Sequence, residues 1–153
     1  MGQEGIQLDT SLGYLLKEAS SELRTAMEAV LRPLGMTITH YSCLELLAQR
    51  PGLSNSELAR GTFVTRQSMN VLLQALERDG YVVRPEEARV GKVLPTQLTE
   101  LGRRELKKAT AAVRSVELRM LSGMTDEEQA VAYRILKSMI ESLRKNDDAP
   151  PQA

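Results

Sequence analysis

The stretch from Leu53 to Leu98 leaves this chain few ways to fold. It reads LSNSELARGTFVTRQSMNVLLQALERDGYVV and goes on RPEEARVGKVLPTQL. Ser54 followed three residues later by Glu57 is a capping box, which starts a short helix with Leu58 and Ala59 inward. Gly61 is expected to end that helix, and the Thr65 hydroxyl to cap a second one from about Arg66 to Asp79, which Gly80 stops. A short helix, a tight turn and a longer helix make a helix-turn-helix. Tyr81-Val82-Val83, a polar loop and Lys92-Val93-Leu94 then add a two-stranded wing. The fold class expected is mainly α with a small β wing, a winged helix-turn-helix between long N- and C-terminal helices.

The flanks carry apolar residues at helical spacing. After a loose start over residues 1–8, Asp9 or Thr10 is expected to cap a helix reaching Leu31, with Leu12, Leu15, Leu16, Ala19, Leu23, Met27 and Val30 on one stripe. Thr39 is expected to cap the next, His40 to Gln49, with Leu44, Leu47 and Ala48 inward, before Pro51-Gly52 breaks it. Thr99 caps a long helix to about Leu121, and Thr125 with Glu128 boxes the start of the last. Residues 146–153 (NDDAPPQA) are polar and proline-containing, and are expected to be disordered. The whole chain is read as one domain: a DNA-binding core over about 37–98, and dimerisation helices over about 9–35 and 99–145. The apolar stripes of the terminal helices are longer than one small domain can cover. A two-fold homodimer would bury them and set two recognition helices against a palindromic site.

Leu53 to Leu98 resembles the MarR family of bacterial transcription regulators, on SELAR, TRQSMNVLLQALERDGYVVR and GKVLPTQLTELG, and the flanking helices fall where that family has them. Many members carry an Asp-x-Arg pair in the wing; here the positions read Val90-Gly91-Lys92, so a cation is kept without its acidic partner. The resemblance implies a dimeric repressor that binds double-stranded DNA at a palindromic operator. It also implies wing tips that reach the minor groove, and a small phenolic or aromatic effector held between the dimer helices and the DNA-reading core. Tyr14, Lys17, Ser21, His40, Tyr41 and Arg114 are the residues placed to line such a crevice.

Within the second motif helix, Met69, Leu72, Leu73 and Leu76 share a stripe. At about 100° per residue, Gln67, Asn70, Val71 and Gln74 face away from it, with Arg66 and Ser68 beside them. Amides pair with adenine edges, valine touches the thymine methyl and arginine pairs with guanine, so an A·T-rich half-site is expected. The hydroxyls of Ser54, Ser56, Thr65 and Ser68 stand at helix starts, where they hold phosphates or act only as caps. In the wing, Arg84, Arg89 and Lys92 are the candidate DNA contacts, and Arg89 is chosen for the minor groove. Glu86 and Glu87 oppose phosphate unless they pair with Arg84 or Arg89. The cations Arg103, Arg104, Lys107 and Lys108 read as a solvated face, with contact to DNA or a ligand carboxylate as the alternative.

Twenty basic and twenty acidic residues balance, which counts against a non-specific coat for nucleic acid but leaves room for a confined positive face. One cysteine, Cys43, excludes an internal disulfide and suits a reducing cytoplasm. No signal peptide or membrane-length apolar run is read, so the expected location is cytoplasmic. No metal-ligand spacing or phosphate loop is present, and His40 with Cys43 lacks an orienting third group, so neither catalysis nor a cofactor is expected. Cys43 is read as a buried, inert thiol. The rival function is a winged-helix module that sequesters another regulator.

Overall fold

The computed structural model describes residues 5–84 and 95–147. Its order is α1 (Leu12–Leu31), α2 (Ile38–Gln49), α3 (Asn55–Thr62), α4 (Arg66–Arg78), β1 (Val82–Val83), β2 (Gln97–Leu98), α5 (Glu100–Leu121) and α6 (Asp126–Asp147). Single 3₁₀ turns, Leu8–Thr10 and Arg32–Leu34, flank α1. The expected class, helical with a two-stranded wing, is the observed one.

The element ends show which local chemistry prevails. Ser11, not Asp9 or Thr10, caps α1: its hydroxyl accepts from the Tyr14 N–H at 3.1 Å. Leu8–Thr10 is used up in the 3₁₀ turn, so Ser11 is the extended residue a cap requires. Thr37, not Thr39, caps α2, and His40 closes a capping box in place of the usual Glu or Gln. The His40 N–H donates to the Thr37 hydroxyl at 3.1 Å, and the Thr37 N–H donates to His40 Nδ1 at 3.3 Å. Burial lowers the His40 pKa, against the opposing charge of Asp79, and so favours the neutral ring that can accept this bond. Ala48 is exposed; Cys43, Leu44 and Leu47 form the inner face of α2.

Gly61 does not end α3. It lies inside the helix where α3 meets α2, and a Cβ there would stand 2.7 Å from Leu46 Cδ1. Phe63 ends the helix instead, in the left-handed conformation at φ 60°. The expected boxes at Ser54–Glu57 and Thr125–Glu128 are present, as is the Thr65 cap. Gly80, at φ 81°, turns the chain out of α4.

The strands pair antiparallel, Val82 opposite Leu98 and Val83 opposite Gln97, so the second strand runs through Gln97–Leu98; Lys92-Val93-Leu94 lies outside the described residues. The pleat turns Val82 and Leu98 into the core and leaves Val83 and Gln97 in solvent. At the foot of the wing, the Thr99 hydroxyl donates to the Gly80 carbonyl at 2.6 Å and accepts from the Gly102 N–H at 3.0 Å. The Thr99 N–H donates to the Tyr81 carbonyl at 3.0 Å. A Cβ on Gly102 would collide with that same carbonyl oxygen.

Residues through Val116 form one compact unit and those from Glu117 a second. The first has an aliphatic core of Leu31, Leu44, Leu58, Met69, Leu73, Leu76 and Val82, each at most 2% exposed. Glu45 stitches α2 to α5: Thr110 Oγ1 and Gln49 Nε2 each donate to its carboxylate at 2.7 Å. Burial works to raise the Glu45 pKa; hydrogen bonds from Gln49, Thr110 and Tyr41 outweigh it and hold the carboxyl below its ordinary range. The N-terminal part of α1 leaves Leu12, Leu15 and Leu16 exposed, and in the second unit α6 exposes Val131, Ile135, Ile140 and Leu143. Helix α6 runs to Asp147, past the expected start of a disordered tail.

The Gly102 contact is backbone against backbone, so no side chain can rotate to relieve it. Gly102→Ala is expected to destabilise the fold by about 3 kcal/mol. Gly13→Ala, in the open first turn of α1, should leave thermal stability unchanged or slightly higher. Thermal unfolding of the two variants checks the contrast; an equal midpoint for Gly102→Ala would show that the junction yields.

Candidate nucleic-acid interface

Helix α4 presents two unlike faces. Met69, Leu72, Leu73 and Leu76 are buried, whereas Arg66, Gln67, Ser68, Asn70, Val71 and Gln74 are all exposed. Val71 is 62% exposed although it is apolar. Thr65 supplies the entry: its hydroxyl accepts from the Ser68 N–H and donates to the Ser68 hydroxyl, both at 3.0 Å. Ser54 is engaged likewise, accepting from the Glu57 N–H at 3.2 Å, and Ser56 is half-buried.

Asn70 is held rather than free. Asn55, at the start of α3, donates its amide to Asn70 Oδ1 at 3.0 Å. The Arg84 guanidinium donates to the Asn70 backbone carbonyl at 3.4 Å, while the Arg84 N–H donates to Glu77 Oε2 at 3.2 Å. Arg84 therefore bends back to brace the foot of the wing on α4. Asn55 has no sequence signal of its own beyond standing next to a cap. Arg89 and Lys92 lie outside the described residues, as do Glu86, Glu87, Val90 and Gly91. Arg103, Arg104, Lys107 and Lys108 are exposed on α5, with Lys108 3.2 Å from Glu105.

A cavity of about 630 Å³ opens between α1, α2 and the end of α3. Lys17, Ser21 and Arg24 line it from α1, Thr39 and Ser42 from α2, and Phe63 from the turn. Of the six residues expected around an effector, Lys17 and Ser21 meet here. Tyr41 instead borders a smaller cleft of about 210 Å³ with Glu45 and Gln49. His40 is engaged in the α2 cap, and Tyr14 and Arg114 are exposed on α1 and α5. Arg24, Thr39, Ser42 and Phe63 were not foreseen, because their convergence depends on how α1 packs on α2. Among the described residues, no cluster of three or more His, Cys, Asp or Glu could hold a metal ion, and no helix is long and apolar enough to cross a membrane.

The sequence profile of the MarR family matches residues 34–92. The HTH-type transcriptional repressor Rv2887 of Mycobacterium tuberculosis is 43% identical over 135 residues, covering 88% of this chain and 97% of that protein. The chain belongs to the MarR family. The crystal structure of the MarR family protein Rv2887 in complex with DNA superimposes with a TM-score of 0.71 at 42% identity, covering 86% of this chain and 98% of that one. Its complex with salicylic acid gives a TM-score of 0.70 at 43% identity, covering 86% and 97%. As a MarR-family protein the chain is a winged helix-turn-helix transcription regulator, and α4 is the second helix of its helix-turn-helix.

The placement of Cys43 argues against a redox role for it. Its side chain is fully buried, with Sγ 3.9 Å from Met69 Sδ, and burial pushes the thiol pKa up to about 12. A thiol of that kind carries almost no thiolate at neutral pH. Native protein is therefore expected to resist iodoacetamide at pH 7.5 and to react fully once unfolded. Mass spectrometry of both samples tests this, and rapid native labelling would contradict the buried placement.

Proposed function

We propose that this chain is a cytoplasmic homodimeric repressor that reads an A·T-rich palindromic operator and releases it on binding a small aromatic acid. The observation that carries the DNA reading is the exposed face of α4, where Gln67, Asn70, Val71 and Gln74 stand clear of a fully apolar inner face. Side-chain amides match the donor and acceptor pattern of adenine in the major groove, and Arg66 supplies one guanine contact at the first turn. The wing residues Arg89 and Lys92 contribute cations toward the flanking backbone and minor groove, while Arg84, folded back onto the Asn70 carbonyl, braces the foot of the wing. Dimerisation is supported by the apolar residues that α1 and α6 leave in water. The effector reading is supported by the cavity beside the motif, with Lys17 and Arg24 for a carboxylate, and by the salicylic acid complex of the relative. The rival reading, a module that only sequesters another regulator, is not favoured: it leaves the amide face of α4 without a task.

Selection of bound duplexes from fragmented genomic DNA, followed by fluorescence anisotropy, tests this. A palindrome with A·T-rich half-sites is expected, with affinity falling steeply as salt rises because phosphate contacts release counterions. Gln67→Ala should weaken the selected site roughly tenfold and leave random-sequence binding unchanged. Arg89→Ala should weaken both. G-rich sites indifferent to Gln67→Ala would refute the assignment of the reading face, and no enrichment at any salt would favour the sequestering module.

A further inference from the structure

Phe63 is the one described non-glycine residue with a positive φ, and its ring is 90% exposed. A left-handed backbone at an aromatic residue is sterically costly, and glycine would adopt it freely. The ring recovers nothing by burial in this chain. What ends α3 is the backbone: the Phe63 N–H donates to the Arg60 carbonyl at 3.2 Å and the Val64 N–H to Ala59 at 3.0 Å. Neither bond needs a side chain at position 63, so helix termination and core packing leave the phenylalanine unexplained.

Its position accounts for it. The ring stands at the rim of the α1–α2–α3 cavity, whose lining includes Lys17 and Arg24 and no carboxylate. Phe63 is also two residues before Thr65, the cap that sets the start of the recognition helix. We propose that Phe63 is the contact through which an aromatic carboxylate in this cavity acts on the DNA-reading motif. The cations hold the carboxylate, the phenylalanine ring meets the aromatic face of the ligand, and the strained turn passes the displacement to the first turn of α4. A ligand can shift an equilibrium only by binding two states unequally, and residues held in sparsely populated backbone regions cluster at ligand clamps and switch segments. This inference rests on the effector reading above.

The test uses the full-length protein on its selected operator, with salicylate and benzoate as probes. The operator affinity of each variant without ligand serves as its own reference. Compared with wild type, Phe63→Leu and Phe63→Gly should need roughly two- to tenfold more salicylate to release half of the DNA, the range of an aromatic pair contact. Phe63→Tyr, which keeps the ring, should stay close to wild type. Phe63→Gly should also melt no lower than wild type, because it relieves the turn and forfeits no packing. Release at the same salicylate concentration in all four proteins would overturn the role of Phe63 and leave the effector reading standing. No release of wild type by either acid would overturn the effector reading and this role with it. A lower melting point for Phe63→Gly would place the ring in a buried contact with a second copy, which also overturns the proposal.

Discussion

The Tyr81 carbonyl is the point on which the DNA-reading part of this molecule turns. It accepts the Thr99 N–H, and the same oxygen lies so close to Gly102 that a side chain there is excluded. Thr99 reaches the other way, to the Gly80 carbonyl and the Gly102 N–H. Three elements thus meet within a few residues: the end of the recognition helix, the foot of the wing and the first turn of α5. Because the contacts are made by backbone and by one short side chain, they leave little slack. The direction of α4 is therefore tied to that of α5.

A second tie links the same elements from another side. Glu45 on α2 receives Thr110 from α5 and Gln49 from its own helix, and it stays ionised because those donors outweigh the cost of its burial. The motif is thus a small rigid block: α2 and α3 meet at Gly61, α3 and α4 share the Asn55–Asn70 bond, and α5 is fastened at both Thr99 and Thr110. The turn at Phe63 is the place where this block is held in an unfavourable backbone state, and it is also where the block faces the cavity.

Much of this was legible in the residues. Ser54 with Glu57, Thr65, Gly80 and Thr99 each carry an unambiguous local signal, because a cap or a left-handed stop depends only on near neighbours. The alternation of Met69, Leu72, Leu73 and Leu76 with polar positions likewise separates the two faces of α4 by period alone. Elsewhere a neighbour in space, or an adjoining turn, decides the outcome. Gly61 has the look of a helix stop, yet its lack of a side chain serves the approach of Leu46. His40 is hidden as a capping residue because imidazole seldom fills that position, and its partial burial, which favours the neutral ring, comes from the tertiary packing. Ser11 displaced Asp9 and Thr10 only because a 3₁₀ turn had taken them. For the same reason Lys17 and Ser21 could be proposed for a crevice, while their cavity partners Arg24, Thr39 and Phe63 depend on a helix crossing that no single segment encodes.

The exposed face of α4 constrains how such a regulator can hold DNA. It carries amides at its centre, with Arg66 at the first turn and Arg78 at the last, and the chain as a whole is balanced at twenty basic and twenty acidic residues. A reading face so sparing of phosphate contacts leaves the grip on the backbone, and with it the salt dependence, to the cations of the wing. The same economy leaves a single recognition helix with too few contacts to hold one half-site for long. Two copies joined rigidly make the second half-site contact intramolecular, so the contributions of both helices combine without a second association step. The apolar residues that α1 and α6 leave in water are what would join them. On this reading the long terminal helices and the sparsely charged reading face are parts of one solution: the helices supply by pairing the affinity that the face gives up for selectivity.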